Sequence, residues 1–230
     1  TVSVTGIAIG GTDSGNYSLS SNTASATADI TPKSITQAYT AANKTYDRST
    51  NARDLLTSSR AQIVGTDDVN FSFTSANFAD WNVGNGKTVQ IDGLTMSGTA
   101  ASNYTLAAAA STTTASISPK LLSVSGISAA NKTYDGTRAA TVDASNASLS
   151  GVVAGDNVSV ASSGEFVTKD VGIGKTVNLQ NTYSGSGVSN YSITDQVTTT
   201  ADVSQAQLAV TATAQNKTYD GTRTVTYSLH

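Results

Sequence analysis

Catalysis needs nucleophiles, acids and metal ligands in groups, and this chain of 230 residues is sparing with all of them. Cysteine is absent, which removes thiol catalysis, disulfides and cysteine-zinc sites. The one histidine, His230, is the last residue and reads as chance or the remnant of a tag rather than a ligand. No Ser-His-Asp or histidine-metal chemistry can be built from it. Adjacent polar pairs at Asp67-Asp68 and Asp156-Asn157 raise the question of calcium. That ion takes about six to eight oxygens, and no D-x-D-x-D run supplies them, so the pairs read as side-chain-capped turns. Paired aspartates for glycoside hydrolysis have no supporting motif. Lys44, Lys132 and Lys217 each follow an asparagine, the pairing used in isopeptide crosslinks. Such a link needs a buried acid, and the only glutamate, Glu165, has no counterpart upstream. Trp81, the sole tryptophan, is the one candidate ligand contact, as an exposed platform for a sugar; a strand-edge or interdomain contact is its plainer role. No catalytic, cofactor or metal site is expected.

What the chain does hold is repetition, the signal to be read first. N-K-T-Y-D occurs at Asn43–Asp47, Asn131–Asp135 and Asn216–Asp220, with starts 88 and 85 residues apart. N-Y-S/T-L/I occurs at Asn16–Leu19, Asn103–Leu106 and Asn190–Ile193, spaced 87 and 87. G-K-T-V occurs at Gly86–Val89 and Gly174–Val177. The run Ala28–Lys33, with Pro32, returns as Ala115–Lys120, with Pro119. One period of about 87 residues accounts for every anchor. It parses the chain into 1–32, the C-terminal part of a repeat; 33–119 and 120–205, two complete repeats; and 206–230, the N-terminal part of another. The prolines sit in junctions too short to be flexible linkers, so adjacent repeats are expected end to end and closely coupled.

The elements that position these residues are short strands. Leu122 and Val124 alternate with Leu121, Ser123 and Ser125; Val177 and Leu179 flank Asn178; Val89 and Ile91 flank Gln90. Such period-two patterns rich in Val and Thr read as half-buried strands. Asp135-Gly136, Gly155-Asp156 and Gly185-Ser186-Gly187 read as the turns between them. Asn51–Ala61 and Ala107–Ala110 carry no more than one helical turn each. The expected class is therefore all-β, with tandem immunoglobulin-like sandwiches; a β-grasp is the alternative and lacks its helix. Asp13-Ser14-Gly15-Asn16-Tyr17 has the D-x-G-x-Y form of a tyrosine corner. There a hydroxyl ties back to upstream backbone, a role expected of Tyr17, Tyr104 and Tyr191. Leu19, Leu106 and Ile193 then stand where antibody domains carry cysteine.

Composition agrees with thin, regular cores. Ser and Thr contribute 32 and 36 residues, whereas charged residues are only 13% and net charge is −3. With 13 basic and 16 acidic residues and no basic block, a nucleic-acid surface is not expected. No apolar run is long enough for a membrane helix. With neither an initiator Met nor a signal peptide, the chain reads as a piece of something longer.

Asn131-Lys132-Thr133-Tyr134-Asp135-Gly136-Thr137, followed by Gly155-Asp156, Phe166, Val171–Val177 and Asn190–Ile193, resembles the YDG-type tandem repeat. That repeat occurs in large bacterial surface adhesins of the filamentous-haemagglutinin type, exported by two-partner secretion. The resemblance spans essentially the whole chain. It implies a non-enzymatic stalk, secreted to the bacterial cell surface, that carries an adhesive region outward in adhesion or biofilm formation. Its motif residues are structural: Tyr46 and Asp47; Tyr134, Asp135 and Gly136; Tyr219, Asp220 and Gly221. Each tyrosine ring is expected beside its turn, the hydroxyl held by backbone. The first copy departs from the pattern with Arg48 in place of glycine, so a different turn conformation is expected there. The partners implied are neighbouring repeats of the same polypeptide. The partial repeats at the ends are expected to pair head to tail between molecules or to share strands with the adjacent complete repeat. The resemblance names no host or matrix ligand; repeats that themselves bind a glycan are the alternative function.

Overall fold

A computed structural model describes Thr1–Leu229; His230 lies outside the described residues. The chain is all-β, and among the described residues its helical elements are single 3-10 turns such as Arg53–Leu55 and Ala101–Asn103. It divides into two compact units. One comprises Thr1–Asn43, Thr50–Asp80 and Gly86–Ser116; the other comprises Lys44–Ser49, Trp81–Asn85 and Ile117 onward. Two early segments, Lys44–Ser49 and Trp81–Asn85, thus belong to the second unit.

In the second unit a five-stranded sheet runs in the order Lys132–Thr133, Thr198–Ser204, Gly172–Ser184, Ser159–Phe166, Ala139–Ala140. All its pairings are antiparallel except the first, where Lys132 and Thr133 run parallel to Val203 and Ser204. A smaller sheet places Lys120–Ser125 between Ser148–Ser150, antiparallel, and Tyr191–Thr194, parallel. The alternation in the sequence is obeyed. Leu122 and Val124 are buried while Leu121 and Ser123 face out, and on the larger sheet Val177 and Leu179 are buried while Asn178 is not. Val124, Ile127, Phe166, Val177, Leu179, Ala201 and Val203 form one core drawn from both sheets. Burying a side chain of this size contributes about 1.5–3 kcal/mol, so a sandwich this thin depends on each of them.

The first unit repeats the plan. Lys33–Ile35 runs parallel to Tyr104–Leu106, and Ser75–Phe78 pairs antiparallel with Gly84–Asp92. Ile35, Val69 and Tyr104 form a core, with Phe71, Met96 and Leu106 packed on it. Asn51–Ala61 supplies one 3-10 turn and the short strand Leu56–Ser58, as expected.

The end segments form local hairpins. Among the described residues, Val2–Thr5 pairs with Thr23–Ala26, and Ala212–Ala214 with Tyr227–Leu229, as exposed hairpins. Strand sharing with a complete repeat is not the observed arrangement.

Candidate functional site: the repeat-motif turn and its carboxylate

In its first two copies the N-K-T-Y-D-x motif is fastened to the strands Ala110–Ser118 and Thr198–Ser204. Asn43 accepts the Ser116 N–H at 2.7 Å through Oδ1, and Asn131 accepts that of Asp202 at 2.8 Å. The Tyr46 N–H donates to the Ser118 carbonyl and the Tyr134 N–H to the Ser204 carbonyl, both at 2.9 Å. Beyond this seam the chain reverses. Asp47, Asp135 and Asp220 each accept the N–H two residues on, at 2.9, 2.9 and 3.0 Å, which closes a side-chain-capped turn. The motif lysine clamps the turn from inside: Lys44, Lys132 and Lys217 lie 2.7, 2.8 and 2.7 Å from those carboxylates. Lys132 also donates to the carbonyls of Thr137 and Ala139. The Lys132 ammonium, with the Thr137 donors, holds the Asp135 carboxyl down at about 2. Glu165 is spent on Arg138 at 2.8 Å.

The residue after the aspartate takes positive φ in every copy: 60° at Arg48, 79° at Gly136 and 77° at Gly221. The expectation of a different turn in the first copy is therefore corrected. Arg48 adopts the glycine conformation, at a cost of about 1–2 kcal/mol. The offset is visible: its Nε lies 3.2 Å from the Asp156 carboxylate, whose side chain is 4% exposed.

Asp156 is the centre of the site. The Tyr46 hydroxyl reaches its two oxygens at 2.9 and 3.1 Å, and the Tyr191 hydroxyl donates to Oδ2 at 2.6 Å. The two rings meet edge to face at 5.6 Å. Tyr46 is 1% exposed. Burial first, then the Asp156 carboxylate, pushes its hydroxyl up to about 12. The same two causes raise Tyr191. Next to this, Asn190, 3% exposed, accepts the Val83 N–H at 2.8 Å and donates to Asn82. The hydroxyl of Tyr46 is thus held by a carboxylate, not by backbone as expected. The reason is that its turn is built into the second unit, where a buried acid faces it.

The tyrosine corners do tie back to backbone. The Val64 N–H donates to the Tyr104 hydroxyl at 2.9 Å and the Val153 N–H to that of Tyr191 at 2.8 Å. Each hydroxyl then donates onward, Tyr104 to Asp67 at 2.7 Å. Tyr17, in the N-terminal end segment, is exposed and lacks such a turn. The second and third motif tyrosines are not packed: Tyr134 is 36% and Tyr219 93% exposed. Trp81 lies half-exposed in the Trp81–Asn85 segment. The acidic pairs are occupied by donors: Asp68 takes the N–H and hydroxyl of Thr99 and the amide of Asn70. Among the described residues no cluster of acids or histidines could hold a metal.

Sequence reasoning missed Asp156 as the partner of two tyrosines. The signal for it was the recurrence of an aspartate after Val64 and after Val153, three residues on each time.

These features define a tandem all-β structural repeat, in which the motif side chains build turns rather than a reaction centre. The chain belongs to the YDG domain family, whose model matches residues 31–114 and again 118–201. No curated relative and no solved structure matches it.

Proposed function

We propose that the chain is a spacer segment of a secreted bacterial surface adhesin, of the filamentous-haemagglutinin type exported by two-partner secretion. Its role is mechanical, projecting an adhesive region from the cell in adhesion or biofilm formation. The repeats divide as 1–32, 33–119, 120–205 and 206–230, the first and last being partial. The observation that carries this is the use made of the signature residues. Asn43, Lys44 and Asp47 and their counterparts Asn131, Lys132 and Asp135 are consumed in fastening each opening turn to its own closing strand. A chain rich in hydroxyls and free of cysteine suits passage through membranes unfolded and folding outside without oxidation. The test replaces these repeats, in the exoprotein that contains them, with an unrelated sandwich of equal length. Adhesion retained with the substitute and lost on shortening supports a spacer; adhesion lost with the substitute refutes it. The half-exposed Trp81 supports the other reading, in which the repeats bind a glycan. Specific binding on a glycan array that disappears in Trp81→Ala would favour it.

A further inference from the structure

The motif turns Lys44–Ser49 and Lys132–Thr137 differ at two positions only: Arg48 stands for Gly136 and Ser49 for Thr137. Both reverse with positive φ after the aspartate. Glycine takes that conformation freely and arginine does not. The reason for Arg48 therefore lies in what its side chain meets.

It meets a slot lined by glycine, and turn and slot both belong to the second unit. The Asp156 side chain, 4% exposed, lies between Gly155 and Gly187, whose φ values are 92° and 97°. A Cβ on Gly187 would stand 2.9 Å from the Asp156 carboxyl carbon. A Cβ on Gly155 would fall inside van der Waals contact of the Arg48 guanidinium, which would have to swing away. With the glycine there, Arg48 Nε lies 3.2 Å from Asp156 Oδ1. The other partners of this buried acid are the neutral hydroxyls of Tyr46 and Tyr191. In the corner that carries Asp67, Asn103 and Tyr104, Thr66 and Ala100 take the two glycine places. The corner that receives the arginine is thus the one with both glycines.

We propose that Arg48 and the Gly155–Gly187 slot are a specificity pair, through which the Asp156 corner selects, among motif turns of nearly identical sequence, one with a cation after its Tyr-Asp. A glycine turn placed there leaves the buried carboxylate without its cation. A side chain in place of Gly155 takes the guanidinium's room, and one in place of Gly187 displaces the carboxylate. Attraction to the right turn is thereby joined to a steric bar against the wrong corner. Wrong pairing is a characteristic folding error of look-alike repeats, and this pair fixes which turn belongs to which corner. Repeats that share one motif are then not interchangeable in order. The pair stands on its own geometry, whether or not the repeats act as a spacer.

The test is amide hydrogen exchange on the full chain, which reads local opening of the turn apart from global unfolding. Arg48→Gly together with Ser49→Thr grafts the glycine turn, relieving the backbone strain and removing the cation. The expected result is exchange faster by about tenfold or more in Lys44–Ser49 and Trp81–Asn85, with the core strand Thr198–Ser204 unchanged. Exchange unchanged or slowed in the two segments would show that Arg48 is a tolerated departure from glycine, and overturns the proposal. Gly155→Ala is then made in the parent and in the grafted chain. Its left-handed penalty is common to both, so the difference between them isolates the fit to Arg48. Acceleration about threefold or more greater in the parent is expected; equal acceleration in the two also overturns the proposal.

Discussion

At Asp156 one carboxylate accepts two tyrosine hydroxyls and an arginine, and stability there has a pH signature. Tyr46 titrates near 12 in the fold against about 10 in an unfolded chain. Its contribution is complete below 10. It falls as pH climbs from 10 to 12, because the unfolded chain releases its proton first. Urea unfolding of Tyr46→Phe should therefore show a shallower alkaline decline than the parent. At neutral pH this variant should be less stable by about 1–3 kcal/mol, the scale of a hydrogen bond to a charged group. Asp135 makes the opposite case. Held near 2, it supports the fold above the ordinary carboxylate range and ceases to as pH falls through 2. Carbon NMR titration should find its carboxyl near 2 in the parent and clearly higher in Lys132→Gln, since the ammonium is the first cause of the depression.

At the scale of elements, turns decide where strands end, and two glycines separate conformational cost from steric cost. Gly136 has φ 79° and open space where a Cβ would stand, so Gly136→Ala should cost about 1–2 kcal/mol, the left-handed penalty alone. Gly185 has φ 114°, and its Cβ would meet the Asn157 carbonyl oxygen at 2.0 Å. Gly185→Ala adds a backbone clash to the penalty and should cost more than about 3 kcal/mol. Chemical denaturation of the two variants side by side checks the order. The core-facing alternation, the single turn at Asn51–Ala61 and the tie of Tyr104 and Tyr191 to upstream backbone were all legible, because each follows from residues close in sequence. The form of the Arg48 turn was not. Propensity alone forbids what an ion pair with Asp156, 108 residues later, makes affordable.

For the whole molecule, the cysteine-free composition leaves strand pairing, core contacts, hydrogen bonds and ion pairs in place of disulfides. Thermal unfolding should accordingly be unchanged by a strong chelator and by a thiol reductant. A melting temperature lowered by several degrees in either would reveal a metal or a crosslink that the repeats require. A melting temperature unchanged in both would fit the spacer role proposed for a chain of the YDG family.

By itself the sequence determined the period, the all-β class and the buried face of core strands such as Lys120–Ser125. Those follow from local pattern, and three copies of one motif report the same turn three times. Only the tertiary structure decided what the motif tyrosine is for. Tyr46, Tyr134 and Tyr219 share the run N-K-T-Y-D, yet they are 1%, 36% and 93% exposed. The difference lies in whether a carboxylate from a distant part of the chain faces the ring. Asp156 is 110 residues from Tyr46, and its local recurrence with Asp67 marks a repeated position without naming its partner. Folding supplies the proximity that turns an ordinary surface acid into the partner of two buried phenols.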